Sequence, residues 1–448
     1  MNRRLLPLLI LALSHPFTSF AGNWAHWRGP TGNSTAPDAK PPIEWSGSRN
    51  VKWKVPIPGR GSGSPVIWGN KVFVVTAVAE QDTAATAAQQ APQQSRPDGR
   101  RGKGRRRGRG SSGGGLTKHS FKILCFDRSS GKLLWEQTAV EETPHQRTHI
   151  TNGHASASPT TDGEHVYAHF GSRGLYCYTL NGKLVWKRDD FGKMDTRASF
   201  GEGSSPTLAG DLIIVPWDHE GPSSIHALDK RTGKTIWKTE RDEPTCWATP
   251  LIVKHQGVSQ VVMNGQTCAR SYDLKTGKEL WRCAGQTERP VASAVNIDDL
   301  VVIGSGFRGS YMGAFRLGGR GDIAGSKKVI WEINRDTPDI ASPLLSNGRV
   351  YFHKGKSGAL SCLDAKTGKL HYEAERISGV NSTYASPIAA NGHVYLTGRR
   401  GTTVVIKDSE KLEVVASNSL GEGIDATPAP VDNELFIRGE RHLFCISN

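Results

Sequence analysis

Eight short steps, each a Ser or Thr followed by Pro or in one case Ala, recur along this 448-residue chain. They are Ser64-Pro65, Ser158-Pro159, Ser205-Pro206, Thr249-Pro250, Ser293-Ala294, Ser342-Pro343, Ser386-Pro387 and Thr427-Pro428. After a first interval of 94 residues they are spaced 47, 44, 44, 49, 44 and 41 apart. Between them runs a Gly-Lys-x-x-Trp phrase whose closing position is Trp135, Trp186, Trp237, Trp281, Trp331, Tyr372 and finally Val415, with Trp53 ahead of the first step. A period in the forties with four short alternating stretches per unit is the signature of a β-propeller. In the sixth unit, SPLLS, RVYFHK, GALSCLD and KLHYE supply the four strands and AKTGK the last hairpin. The chain is therefore expected to be all-β: an eight-bladed propeller of four-stranded antiparallel blades. Val51–Gly59 reads as an outer strand without partners upstream, and the C-terminal ATPAPVDNELFIRGERHLFCIS supplies three strands and stops. Pairing the two ends would complete an eighth blade and leave no open edge in the ring.

The remaining organisation follows from composition. Residues 1–21 read as a secretory signal, with Arg3-Arg4, an apolar run from Leu5 to Leu13 and a Ser19-Phe20-Ala21 cleavage site. Residues 22–50 form a Pro- and Gly-punctuated arm expected to pack on the propeller, which occupies 51–448. The stretch 80–118 passes from Ala/Gln-rich to Arg/Gly-rich sequence and is expected to be a disordered loop. Eight Arg or Lys and one Asp lie between Arg96 and Arg109, so nearly half of the net charge of +15 sits there. No stretch is apolar for long enough to span a bilayer, and no cysteine stands near the cleavage site to carry a lipid. The expectation is an exported monomer of the periplasm or cell envelope. Cys125, Cys177, Cys362 and Cys445 fall at one repeat position and read as small interior hydrophobes. A Cys246–Cys283 bridge is one possibility among the other three.

The residue before each Ser or Thr step is small, as crowding near an axis requires. Just upstream the residue types diverge: Arg60, His154, Glu202, Trp247, Arg289, Asp339, Tyr384 and Asp425. Variable positions in a repeat scaffold are where a specific site is usually placed. These eight are therefore the candidate ligand-binding residues of a channel mouth. Arg60, Arg289 and His154 suit carboxylates or other anions, Trp247 and Tyr384 offer stacking faces, and Glu202, Asp339 and Asp425 suit a cation or the arginines. Arg173, Arg308, Lys354, Lys356, Arg399, Arg400 and Arg441 fall in loops on the same side, making that face positive. The partners this suggests are an acidic protein, a polysaccharide or another anionic component of the envelope; nucleic acid does not suit the compartment. Asp218, His219 and Glu220 carry metal-ligating groups, but three consecutive residues rarely converge on one ion, and no metal site or catalytic triad is assigned.

ALDKRTGKTIW, SYDLKTGKELW and CLDAKTGKLHY resemble the pyrroloquinoline-quinone (PQQ) type propeller repeat. With the arm NWAHWRGP and the phrase WKVPIPGRGSGSP, the mature chain is similar to exported quinoprotein-like propellers, a family that includes both dehydrogenases and non-catalytic members such as the propeller lipoprotein of outer-membrane protein assembly. The resemblance implies two functions. One is a non-catalytic binding or scaffold propeller with its ligand or protein partner at the basic mouth. The alternative is a quinone-dependent alcohol or sugar dehydrogenase using PQQ and calcium. This chain has no adjacent cysteines, whereas such dehydrogenases carry a vicinal pair over the cofactor, and it lacks the anchor cysteine of the lipoprotein. The expectation is the binding propeller, with no catalytic residue.

Overall fold

The structure, a computed structural model, describes residues 22–80 and 116–448. Residues 1–21, read above as a secretory signal, and the Arg-rich run of the expected disordered loop lie outside them. Eight antiparallel sheets follow one another in chain order. Blade 1 holds Val66–Trp68, Lys71–Ala79, His119–Asp127 and Leu133–Glu142. Blades 2 to 7 begin at Thr160, Thr207, Leu251, Val295, Leu344 and Ile388. Blade 8 is completed as the sequence suggests: Val51–Pro56 pairs antiparallel with the C-terminal strand His442–Ser447. The middle strands of each blade are buried on both faces, so the core is a series of apolar seams between neighbouring sheets. Cys125, Cys177, Cys362 and Cys445 sit in these seams at zero exposure, and burial pushes the Cys125 and Cys362 thiols up to about 12. All seven cysteines are free, so the conceivable Cys246–Cys283 bridge does not form.

The Gly-Lys-x-x-Trp phrase joins each blade to the one before. In Asp229–Gly233, the Asp229 carboxylate accepts from the Thr232 N–H and O–H, both at 2.8 Å. Gly233 then turns at φ +71°, a conformation that costs a side-chain-bearing residue. Trp186 of the preceding blade lies against that bare glycine, where a Cβ would meet the ring at 2.7 Å. The Trp186 indole Nε1 donates to the Lys230 carbonyl at 3.0 Å. The same bond runs from Trp53 to Arg128, Trp135 to Leu180, Trp237 to Leu274 and Trp331 to Ala365. Trp281 departs from this pattern: it is fully buried, but its Nε1 has no partner. The next blade replaces the short turn with a long hairpin, whose Gly321–Asp322 instead adds a parallel strand beside Trp281.

Residues 22–45 do not merely lean on the surface; they cross one face of the ring. Trp24 bridges to Ile67 of blade 1, and Thr160 and Thr161 of blade 2 donate to the Ala25 carbonyl. Arg28 donates to the carbonyls of Ser293 and Pro343, between blades 5 and 6. Asn33 exchanges hydrogen bonds with Asn296. Thr35–Ala36 adds a parallel strand to the innermost strand of blade 7, and the Lys40 N–H reaches Asp432 in blade 8.

Several histidines are held neutral in this interior. Burial lowers His226 and His353 to about 4 from an ordinary 6.5. An unfolded chain protonates them near 6.5 while the folded chain does not. Their contribution to stability is therefore complete above pH 6.5 and is lost as pH falls toward 4. For each the slope is at most about 1.4 kcal/mol per pH unit. The urea midpoint is expected to drop steadily between pH 6.5 and 4.5; a flat midpoint over that range would contradict the buried neutral imidazoles.

Candidate functional site

The repeated Ser/Thr steps close a ring of hydrogen bonds around the axis. The Ser64 N–H donates to Ser158 Oγ (2.9 Å), Ser158 to Ser205 (2.9 Å), Ser205 to Thr249 (3.2 Å) and Thr249 to Ser293 (2.9 Å). Ser293 then donates to Ser342 (2.8 Å), Ser342 to Ser386 (2.9 Å), Ser386 to Thr427 (3.0 Å) and Thr427 back to Ser64 (3.0 Å). Each innermost strand is thus stitched to the next by a side chain short enough to fit near the axis. The proline or alanine that follows continues the chain outward.

Above the ring opens a cavity of about 440 Å³. Trp27, carried in by the arm, lines it together with all eight ring residues. The upper wall brings together Phe200, Trp247, Phe307 and Tyr384 with His149, Arg289, Lys356 and Asp425. The Trp247 indole donates to the Gly201 carbonyl at 2.6 Å, which fixes its plane. The loop between blades 1 and 2 reaches across, where Thr151 Oγ1 meets the Tyr384 hydroxyl at 3.0 Å. Ile150, at the tip of that loop, is 82% exposed.

Arg289 is the unusual member of this wall. It takes φ +44°, a strained conformation for a residue with a Cβ, and is only 6% exposed. Its guanidinium lies 3.3 Å from the Phe307 ring centroid and 5.6 Å from that of Phe200. Its one ionic contact is a long one, 3.5 Å from Nη2 to Asp339 Oδ2, and Lys356 Nζ stands at the same distance from that oxygen. Arg289 Nε and Asp339 Oδ1 are buried without partners. Burial, only partly offset by Asp339, lowers the Arg289 pKa.

Of the eight candidate residues, Trp247, Arg289, Tyr384 and Asp425 line the cavity, and Asp339 stands directly behind Arg289. The other three turn elsewhere. Glu202 is drawn into a neighbouring small cavity by Arg173 (2.8 Å) and by the Ser172 N–H and O–H (2.8 and 2.5 Å). His154 lines the same small cavity, edge-on to His119, and burial lowers it to about 3. Arg60 is exposed and donates to the Ile150 carbonyl at 3.3 Å. The basic loops are less positive than a count of their arginines suggests, because acids answer them. Arg399 grips Asp425 through two bonds (2.7 and 3.0 Å) while lying 3.8 Å from the Tyr384 ring. Lys354 meets Asp336, Arg308 meets Glu288 and Arg441 meets Glu422. The consecutive Asp218, His219 and Glu220 diverge, to Arg241, to their own turn and to Thr245 respectively. His149, Phe200, Phe307 and Trp27 join the cavity without having been singled out in the sequence, and Lys356 joins it without having been named a candidate ligand residue. Only Lys356 carried a signal, as one of the basic loop residues.

Comparison with known proteins agrees with this architecture. The sequence profile described as outer membrane protein assembly factor BamB matches residues 102–221, 178–319 and 270–446. The BamB protein of Yersinia pestis is 20% identical over 335 residues, covering 70% of this chain and 77% of that one. The lanthanide-dependent methanol dehydrogenase of Methylorubrum extorquens is 28% identical over 148 residues, which is 30% of this chain and 24% of the dehydrogenase. The crystal structure of the quinohemoprotein alcohol dehydrogenase from Comamonas testosteroni superposes with a TM-score of 0.58 at 10% identity, covering 95% of this chain and 80% of that one, a likeness of fold alone. With matches spread over most of its length, the chain belongs to the family of PQQ-like repeat propellers described by the outer membrane protein assembly factor BamB.

Proposed function

We propose that the protein is a non-catalytic binding propeller of the cell envelope, which holds an anionic group of its ligand or protein partner in the mouth cavity. Arg289 carries this reading. A buried guanidinium with an unpartnered Nε, braced between two phenylalanines, is costly to the fold unless something occupies it. Trp247 and Tyr384 supply flat contact area beside it, and aromatic and Arg residues are the usual anchors of an interface. The relationship to an assembly factor supports a protein partner.

The quinone-dependent alternative is favoured by the methanol dehydrogenase relative, and PQQ with calcium or a lanthanide would be its requirement. The residues at the mouth do not fit that group. Glu202, Asp339 and Asp425 are each engaged by a cationic side chain. Among the described residues no three His, Cys, Asp or Glu side chains converge in a metal-binding cluster. A cationic side chain thus stands beside each carboxylate a metal ion would need, closely at Glu202 and Asp425 and at 3.5 Å at Asp339, so no catalytic step is assigned.

The test is capture from envelope extracts on immobilised protein, comparing the natural chain with an Arg289→Gln, Lys356→Gln variant. Loss of at least tenfold in a retained component is expected from the variant. Equal capture by both would remove the mouth from the function. Reconstitution with PQQ and calcium or a lanthanide, followed by dye reduction on addition of an alcohol, would instead establish the dehydrogenase.

A further inference from the structure

The ring of eight hydroxyls carries more than the closure of the propeller. Each hydroxyl accepts the backbone N–H of the neighbouring blade, yet among the described residues none of the eight donates its own proton to a protein acceptor. A hydroxyl has one donor and two lone pairs. With one lone pair taken by an amide, the O–H and a second lone pair remain at every position, and the charge beside the ring decides which of them a ligand uses. All eight residues line the lower part of the cavity.

The fixed charge beside this ring has one sign. Arg28 is 2% exposed and donates to the carbonyls of Ser293, itself a ring residue, and of Pro343, which follows one. Its Nε is buried without a partner. Arg438 is 3% exposed and donates to the carbonyls of Gly63, which precedes ring residue Ser64, and of Val75. Neither arginine has a carboxylate partner among the described residues, whereas the comparably buried Arg173, Arg241 and Arg270 do. Burial lowers Arg28 to about 9 and Arg438 to about 10, so both remain cationic at neutral pH. Carbonyl dipoles, and for Arg28 the Trp27 ring 5.3 Å away, are the compensation these two charges find among the described residues, which leaves a positive field beside the ring. The one acid that lines the cavity, Asp425, is committed to Arg399.

We infer that the hydroxyl ring is an oxyanion site, which takes a sulfate- or phosphate-class group at the floor of the cavity, with Arg28 and Arg438 behind the ring on the carbonyls of its backbone. O–H donors converging from all sides suit the several acceptor oxygens of such a group, and the arginines supply its counter-charge. A cation is repelled by the same pair. This inference rests on reading the cavity as a ligand site, but it concerns a different set of atoms from Arg289 and Lys356. An occupant can use both ends, with its oxyanion down on the ring.

Selenate is the direct probe, because selenium scatters anomalously. Crystals of the full mature chain soaked in sodium selenate are expected to show an anomalous peak inside the ring. Calorimetric titration with sulfate at constant ionic strength is expected to saturate and to weaken at least tenfold in Arg28→Gln, whose amide still donates to a carbonyl but carries no charge. Arg438→Gln, on the far side of the ring and independent of the arm, is expected to behave alike, which guards against a misfolded Arg28 variant. A selenate peak only at Arg289 and Lys356 would overturn the ring site while leaving the mouth reading intact. No peak in the cavity, or sulfate affinity unchanged in both variants, would also overturn the ring site, leaving ordered water as its occupant.

Discussion

Truncating Trp237 to alanine is expected to lower the unfolding free energy by about 3–5 kcal/mol, the range for removing a large buried aromatic side chain. Trp237 is 9% exposed and fills the seam between blades 3 and 4. It lies against Gly277, where a Cβ would come within 2.6 Å of the ring. The milder change to phenylalanine separates packing from hydrogen bonding. Trp237→Phe deletes the bond to the Leu274 carbonyl and leaves that acceptor unpaired, adding about 1 kcal/mol to the loss of ring area. Trp281→Phe deletes an N–H that already lacks a partner, so only ring area is lost. Urea unfolding of the two variants measures the contrast. Equal losses would show that the indole bonds contribute nothing to holding neighbouring blades together.

A second large effect is expected at Asp218. Its carboxylate receives Arg241 through two bonds of 2.8 and 3.1 Å, with both side chains at or below 1% exposure. The guanidinium also donates to the Tyr272 hydroxyl at 2.6 Å and to the Asn264 carbonyl at 3.2 Å. Asp218→Ala strands a buried cation and is expected to cost about 3–5 kcal/mol. The double variant Asp218→Leu, Arg241→Met removes both charges at once and is expected to recover most of that loss. If the double variant is as unstable as the single one, the pair is held by shape rather than by charge compensation. Asp218 had the look of a metal ligand in the sequence; its actual partner is 23 residues away on the last strand of the same blade.

The periodic part of this protein was legible because every blade solves the same packing problem. Trp186 and Gly233 recur at fixed spacing since each must meet its neighbour's counterpart across a seam. Blade count, end-to-end closure and the interior cysteines all follow from that repetition. What repetition hides is contact between blades. The Ser/Thr steps stood out in the sequence, but periodicity marks Ser205 and Thr249 as equivalent without showing that one hydrogen-bonds the other. The site is legible only in part for a related reason. Trp247 and Tyr384 stand two residues before their step and are held at the axis with it. Arg60, His154 and Glu202 stand three or four residues before theirs and turn toward Ile150, His119 and Arg173, whereas Arg289, also four residues before its step, enters the cavity, so distance from the step alone does not decide. Phe200 and Phe307 come from loops outside the repeat frame, and Trp27 from an arm that has no counterpart in any blade. Nothing periodic points to them.

The path of that arm bears on the order in which the molecule can be made. Residues 24–40 touch blades that are finished only when residues near 297, 345, 390 and 432 are in place, and Val51–Pro56 waits for the last strand of all. The arm, which precedes every blade in the chain, is therefore among the last segments to settle. Until then the chain is an open arc with two unpaired margins and an unplugged axis, and joining ends so far apart in sequence is the kind of contact that slows folding. A factor that shelters those margins would act on this step, before the ring closes.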